Sequence, residues 1–137
     1  SSLEEVEALA LGRWYERAGE TAPAGEAFQR ALQSGRTDVR AEALKRLSMR
    51  MKREKDYEQA LLYWQQWSEL DPADPIPRVE IAKYYEWRRK DLEQARYWAG
   101  EAMVSLTHWP PGPRRARVWE EIEHRQKRLA EKTARNS

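Results

Sequence analysis

Five residues of this chain, Asp56-Tyr57-Glu58-Gln59-Ala60, return 35 residues later as Asp91-Leu92-Glu93-Gln94-Ala95, with four of the five identical. Ala24, 36 residues before Ala60, opens a third matching segment. In it Ala24, Phe28 and Ala31 take the places of Ala60, Trp64 and Trp67, and of Ala95, Ala99 and Ala102. A period of this length confines a chain to stacked copies of one small supersecondary unit, because a single copy cannot bury its own apolar face.

The unit is helical. Val is scarce, Ile occurs only at 76, 81 and 122, and no stretch alternates cleanly between apolar and polar residues as a strand would. Ala, Leu, Glu, Arg, Gln and Lys, the strong helix formers, dominate. Turn signals fall at Gly19 to Pro23, Ser34-Gly35, Lys55-Asp56, Asp71-Pro72 to Pro77, Lys90-Asp91 and Pro110 to Pro113. The segments between them predict seven helices, at about 3–18, 22–34, 38–54, 56–69, 76–89, 91–106 and 113–132.

Three helix pairs repeat a small–aromatic pattern. The first reads Leu11-Gly12-x-x-Tyr15 and then Ala24-x-x-x-Phe28. The second reads Leu47-Ser48-x-x-Met51, Ala60-x-x-x-Trp64 and then Pro72. The third reads Ile81-Ala82-x-x-Tyr85 and Ala95-x-x-x-Ala99, with one extra residue before Asp91. This pattern resembles the tetratricopeptide (TPR) family, whose signature runs L-G-x-x-Y, A-x-x-x-F, P. The resemblance implies an all-α fold: a right-handed superhelical solenoid of three TPR-like hairpins, at about 5–38, 41–74 and 75–109. A C-terminal capping helix at about 113–132 completes one domain over 1–137.

Packing explains the pattern. Two antiparallel helices approach closely only where one side is small, so Gly12, Ser48 and Ala82 are expected to face Ala24, Ala60 and Ala95. Tyr15, Phe28 and Trp64 fill the space beside that contact. The third repeat departs from the pattern at Ala99, where Trp98 or Trp87 is expected to supply the missing volume. In the cap, Val118, Trp119, Ile122 and Leu129 form one apolar stripe. Arg114, Arg115, Glu120, Glu121, Arg125, Lys127 and Arg128 are assigned to the solvent side. Trp14, Trp64, Trp67, Trp98 and Trp119 have places in the core; Trp87 and Trp109 have no assigned partner, and Trp109 is read as a core residue.

The run from Val79 to Glu86, followed by Arg89-Lys90-Asp91-Leu92-Glu93-Gln94-Ala95, also resembles the repeat region of YprB-type bacterial proteins. These join a ribonuclease H-like exonuclease domain to TPR-like repeats. That resemblance implies a C-terminal repeat region separated from its nuclease domain. The opening Ser1-Ser2, with no Met, is read in the same sense, as a piece of a longer or processed protein.

Composition narrows the chemistry. There is no Cys, which excludes disulfides, thiolate metal sites and cysteine nucleophiles and fits a cytoplasmic location. No apolar run reaches the ~18 residues of a membrane span, and no signal peptide opens the chain. The two His, His108 and His124, stand in no metal-ligand spacing. The six Gly are scattered, with no phosphate-binding loop. The carboxylates alternate with cations as solvated helix faces do. No enzyme activity, metal or cofactor is expected.

What remains is binding. In TPR arrays the first helix of each pair lines the concave groove, through residues one past the small slot, three before it and four after. Here these are Arg13, Leu9 and Glu16; Met49, Lys45 and Lys52, with Arg53 beside them; and Lys83, Val79 and Glu86, with Trp87 beside them. The partner-binding set is therefore Arg13, Lys45, Met49, Lys52, Arg53, Lys83, Glu86 and Trp87. It tilts basic, which suits a protein partner or an acidic peptide segment held by charge-assisted hydrogen bonds. The same cations could equally serve only to solvate the groove. A carboxylate clamp of the chaperone-binding type is not expected, because the only Asn is Asn136. The basic run from Lys45 to Lys55, with Arg114, Arg115 and Arg117 on the cap, leaves an accessory nucleic-acid surface as the alternative. Net charge is near balance at +2, but residues 1–38 carry −3 and residues 113–137 carry +4. Neither the oligomeric state nor the partner's identity follows from these residues.

Overall fold

A computed structural model describes residues 2–136, and every regular element among them is an α-helix. The helices are α1 (Ser2–Arg17), α2 (Thr21–Ala31), α3 (Thr37–Arg53), α4 (Tyr57–Leu70), α5 (Ile76–Trp87), α6 (Leu92–Leu106) and α7 (Pro113–Arg135). All seven expected helices are present, with α2 ending earlier and α7 running one turn further than the sequence suggested. The chain divides into two compact units, one ending at Leu70 and the other beginning at Asp71.

The recurring Asp-x-Glu-Gln-Ala segment is a helix start. Asp56 accepts a hydrogen bond from the Gln59 backbone N–H at 3.2 Å, and Asp91 accepts one from Gln94 at 3.1 Å. Each satisfies an N–H that the first helical turn leaves without a partner. The residue before each Asp lies in the left-handed region, Lys55 at φ 62° and Lys90 at φ 54°. Gly19, at the matching point between α1 and α2, has φ 78°. The following N–H closes each turn onto the preceding helix: Glu20 onto Tyr15 (2.9 Å), Asp56 onto Met51 (2.9 Å) and Asp91 onto Tyr85 (2.8 Å). The extra residue before Asp91 sits inside this turn, so Asp91 reaches back one position further. Gly adopts positive φ without the Cβ clash that Lys suffers. Lys55→Gly and Lys90→Gly are therefore each expected to stabilise the fold by about 0.5–1 kcal/mol, read as a higher urea midpoint at unchanged slope.

In the first unit α1 pairs with α2, α3 pairs with α4, and α3 also packs on both α1 and α2. Ala8, Leu9, Ala24, Phe28, Ala31, Val39, Ala43 and Leu47 form its core, with Tyr15 and Tyr63 at the margin. Gly12, Ser48, Ala24 and Ala60 are all buried. The closest neighbour of Gly12 is the Phe28 ring: a Cβ at Gly12 would stand 2.6 Å from it. The buried Ser48 hydroxyl donates to the Lys45 carbonyl at 2.8 Å, so it satisfies itself within its own helix. Trp64 and Trp67 are buried. Trp14 is not: it stands in solvent against the edge of Tyr15, a correction to its expected core place.

In the second unit α5 pairs with α6, and α7 packs against α6. Ala82, Ala95 and Ala99 form one cluster with Leu129 of α7, and Trp98 lies against it. The volume missing at Ala99 is thus supplied by Leu129 as well as by Trp98. A second cluster joins Val79, Ala102, Leu106 and Ile122, with Trp109, Val118 and Trp119 packed on it. The buried Ser105 hydroxyl ties the start of this unit down. It donates to the Pro72 carbonyl at 2.7 Å and accepts from Arg78 at 2.6 Å.

Candidate functional site

In the first unit, the stripe Lys45, Met49 and Lys52 runs along α3 at helical spacing of four and three. Lys45 is half-buried, Lys52 and Arg53 are exposed, and Met49 is 41% exposed. The neighbouring helix α1 carries Arg13, half-buried, and Glu16. Glu16 is engaged by Arg46, which bridges it at 3.0 Å while holding Glu42 of its own helix at 2.9 Å. This cross-helix bridge fixes α1 beside α3. Arg50, Lys52 and Arg53 occupy the last turn of α3, where cations also favour the negative end of the helix dipole. Leu9, expected to point into a groove, is instead part of the core.

In the second unit the expected positions separate. Lys83 is half-buried and contacts Glu80 one turn back at 3.4 Å. Val79 lies in the core. Trp87 is 51% exposed, with the Lys132 ammonium 3.9 Å from its ring centre and the Arg128 guanidinium at 5.7 Å. Glu86, expected to line an open groove, is buried beneath α7 and takes no part in an open surface. Its Oε1 accepts from Arg128 at 2.6 Å and from Arg125 at 3.5 Å, and its Oε2 accepts from Lys132 at 2.8 Å.

Burial alone would push the Glu86 carboxyl up. The hydrogen bonds and charges of Lys132 and Arg128 outweigh it and hold the carboxyl below its ordinary range. Burial, reinforced by the repulsion of Arg128, pulls Arg125 down. The sequence placed Arg125 on the solvent side of the cap, but it is buried and lies in line with Ile122 and Leu129. The reason is the carboxylate opposite it. A helix whose buried stripe reads Ile122, Arg125, Leu129 needs an acid on its partner, and Arg128 and Lys132 complete the same cage. That interruption of the apolar stripe by a cation was the available sequence signal.

Two further cations of α7 stand over aromatic rings: Arg114 is 4.2 Å from the Trp109 ring centre and Arg115 is 5.1 Å from that of Trp119. Trp109, expected in the core, is half-buried at its margin, packed on the cluster of Val79 and Ile122. Among the described residues no three His, Cys, Asp or Glu side chains are grouped to hold a metal ion. His108 and His124 are both exposed, and His108 Nδ1 lies 3.3 Å from the Ser105 carbonyl. No described helix is long and apolar enough to cross a membrane. No family model matches the chain, and no curated protein matches it at a significant level.

Proposed function

We propose that the chain is a TPR-like, non-catalytic interaction or scaffolding module. On this reading its three hairpins are consecutive repeats of a right-handed solenoid, and it binds an acidic peptide or partner segment through the first helices of those repeats. The observation that carries the proposal is Met49, a large apolar side chain left open on α3 and flanked one turn either way by Lys45 and Lys52. A thioether adapts to many contact shapes, and ammonium groups on either side select acidic residues around an apolar anchor. Arg13 and Arg53 extend the cationic set, and Lys83 and Trp87 supply the corresponding positions of the third repeat.

The test is titration of the chain with peptides that combine an apolar residue with flanking Asp and Glu, followed by calorimetry. Saturable binding is expected. Lys45→Glu and Lys52→Glu are each expected to weaken it by about tenfold, roughly 1.4 kcal/mol, with Met49→Ala a further independent loss. A chain that ignores acidic peptides but retains single-stranded oligonucleotides with a steep salt dependence would instead serve nucleic acid.

A further inference from the structure

The outward face of α1 is apolar where it has no visible reason to be. Leu3 is 69% exposed, Leu11 37% and Trp14 56%. The repeat register shows what such a face is for. Moved forward by the 36-residue offset that relates Ala24 to Ala60, Leu3 and Leu11 become Val39 and Leu47. Both of these are core residues of α3, which packs on α1 and α2. The same face on α1 keeps apolar side chains but is exposed. It also departs from α3 in two places: Glu7 stands where α3 has Ala43, and Trp14 where α3 has Arg50.

Those departures identify the cover. On the exposed side of α1 the first half carries Glu4 and Glu7 and the last turn carries Arg17; Arg13 and Glu16 are half-buried, and Arg46 holds Glu16. Two copies of this helix laid antiparallel place each acidic half against a basic last turn, which parallel pairing does not. Helical spacing sets Leu3, Glu7, Ala10, Trp14 and Arg17 along one seam. Across a two-fold axis near the middle of α1, Trp14 of one copy meets the Glu7–Ala10 turn of the other. Arg17 then comes within a turn of Glu4 and Glu7. Every contact occurs twice, as an isologous interface requires.

We propose that this face of α1 is a homodimer interface, covered in solution by the α1 face of a second copy. A single helix face is small, so the dimer is a weak one that exchanges with monomer. Sedimentation equilibrium on the intact chain is expected to show the mass rising from monomer to dimer with concentration. Trp14→Glu is expected to hold the chain monomeric with its helical circular dichroism unchanged, since Trp14 is exposed. Trp87→Ala, at the other half-exposed Trp, leaves the association as it was. Glu7→Arg and Arg17→Glu are each expected to weaken dimerisation by about tenfold, because each dimer holds two copies of the pair. An equimolar mixture of the two single variants is expected to form a mixed dimer. A monomeric mass up to about 1 mM, where even a −4.1 kcal/mol interaction is half-formed, would overturn the proposal. So would association that survives Trp14→Glu, or single variants that fail to pair with each other.

Discussion

Replacing Glu86 with Ala is expected to cost the second unit about 3 kcal/mol of stability, the lower end of the range for breaking a buried ion pair by removing one partner. The carboxylate is fully buried and receives Arg128, Lys132 and Arg125. Without it, three cations of α7 lose the carboxylate they share on α5. Arg128 and Lys132 are each about a quarter to a third exposed and can swing into water, but Arg125 cannot. That difference sets the estimate below the top of the range. Urea unfolding followed by circular dichroism measures the loss. Lys132→Ala, which removes one of three donors and leaves the acid partnered, is expected to cost far less.

The same cluster gives the protein a pH dependence of definite sign. The folded-state Glu86 carboxyl is held below its ordinary value of 4.5. Its charge therefore contributes stability that is fully present above that value and is lost as the pH falls through the depressed folded-state value. Glu86→Gln has no proton to take up. The stability gap between wild type and Glu86→Gln is expected to be constant from pH 7 to about pH 5 and to close below the ordinary glutamate value. A gap that stays constant to pH 3 would show that the carboxylate contributes nothing through its charge.

Local rules made the helices legible. Asp56, Asp91 and Gly19 mark turns by chemistry that acts over a few residues, and the helix limits follow from them. The core was legible where burial follows periodicity, as at Phe28, Trp64, Ile122 and Leu129. Sequence reasoning failed where burial depends on what stands opposite. Trp14 has the composition of a core residue, but whether it is covered depends on a neighbour that α1 lacks within its unit. Glu86 and Arg125 look like solvated charges singly, and only their pairing across α5 and α7 makes their burial tolerable. Of the residues expected to line a groove, Lys45, Met49, Lys52 and Arg53 lie together on α3, as their spacing required. Glu86 and Trp87, adjacent in sequence, point one inward and one outward.

At Gly12 the helix meets a rigid aromatic ring. A Cβ there would stand 2.6 and 2.7 Å from two atoms of the Phe28 ring, and that ring is itself buried in the first unit's core. Helix propensity alone favours Gly12→Ala by about 1 kcal/mol. Overpacking a rigid aromatic costs about 1–3 kcal/mol, so the net result is expected to be a loss of about 1 kcal/mol. Gly12→Leu, with three further carbons and nowhere to put them, is expected to cost about 3 kcal/mol or more. Gly100 is the control: it too lies inside a helix, but a Cβ there meets nothing within 4 Å. Gly100→Ala therefore gains propensity without a clash and is expected to stabilise by about 0.5–1 kcal/mol. The steric origin is separable from a general intolerance of the site. Phe28→Leu removes the ring and costs stability alone, but in the Gly12→Ala background the two changes relieve each other. A double-mutant cycle is expected to return a favourable coupling of about 1 kcal/mol. Strict additivity would mean that Gly12 is small for a reason other than the Phe28 ring.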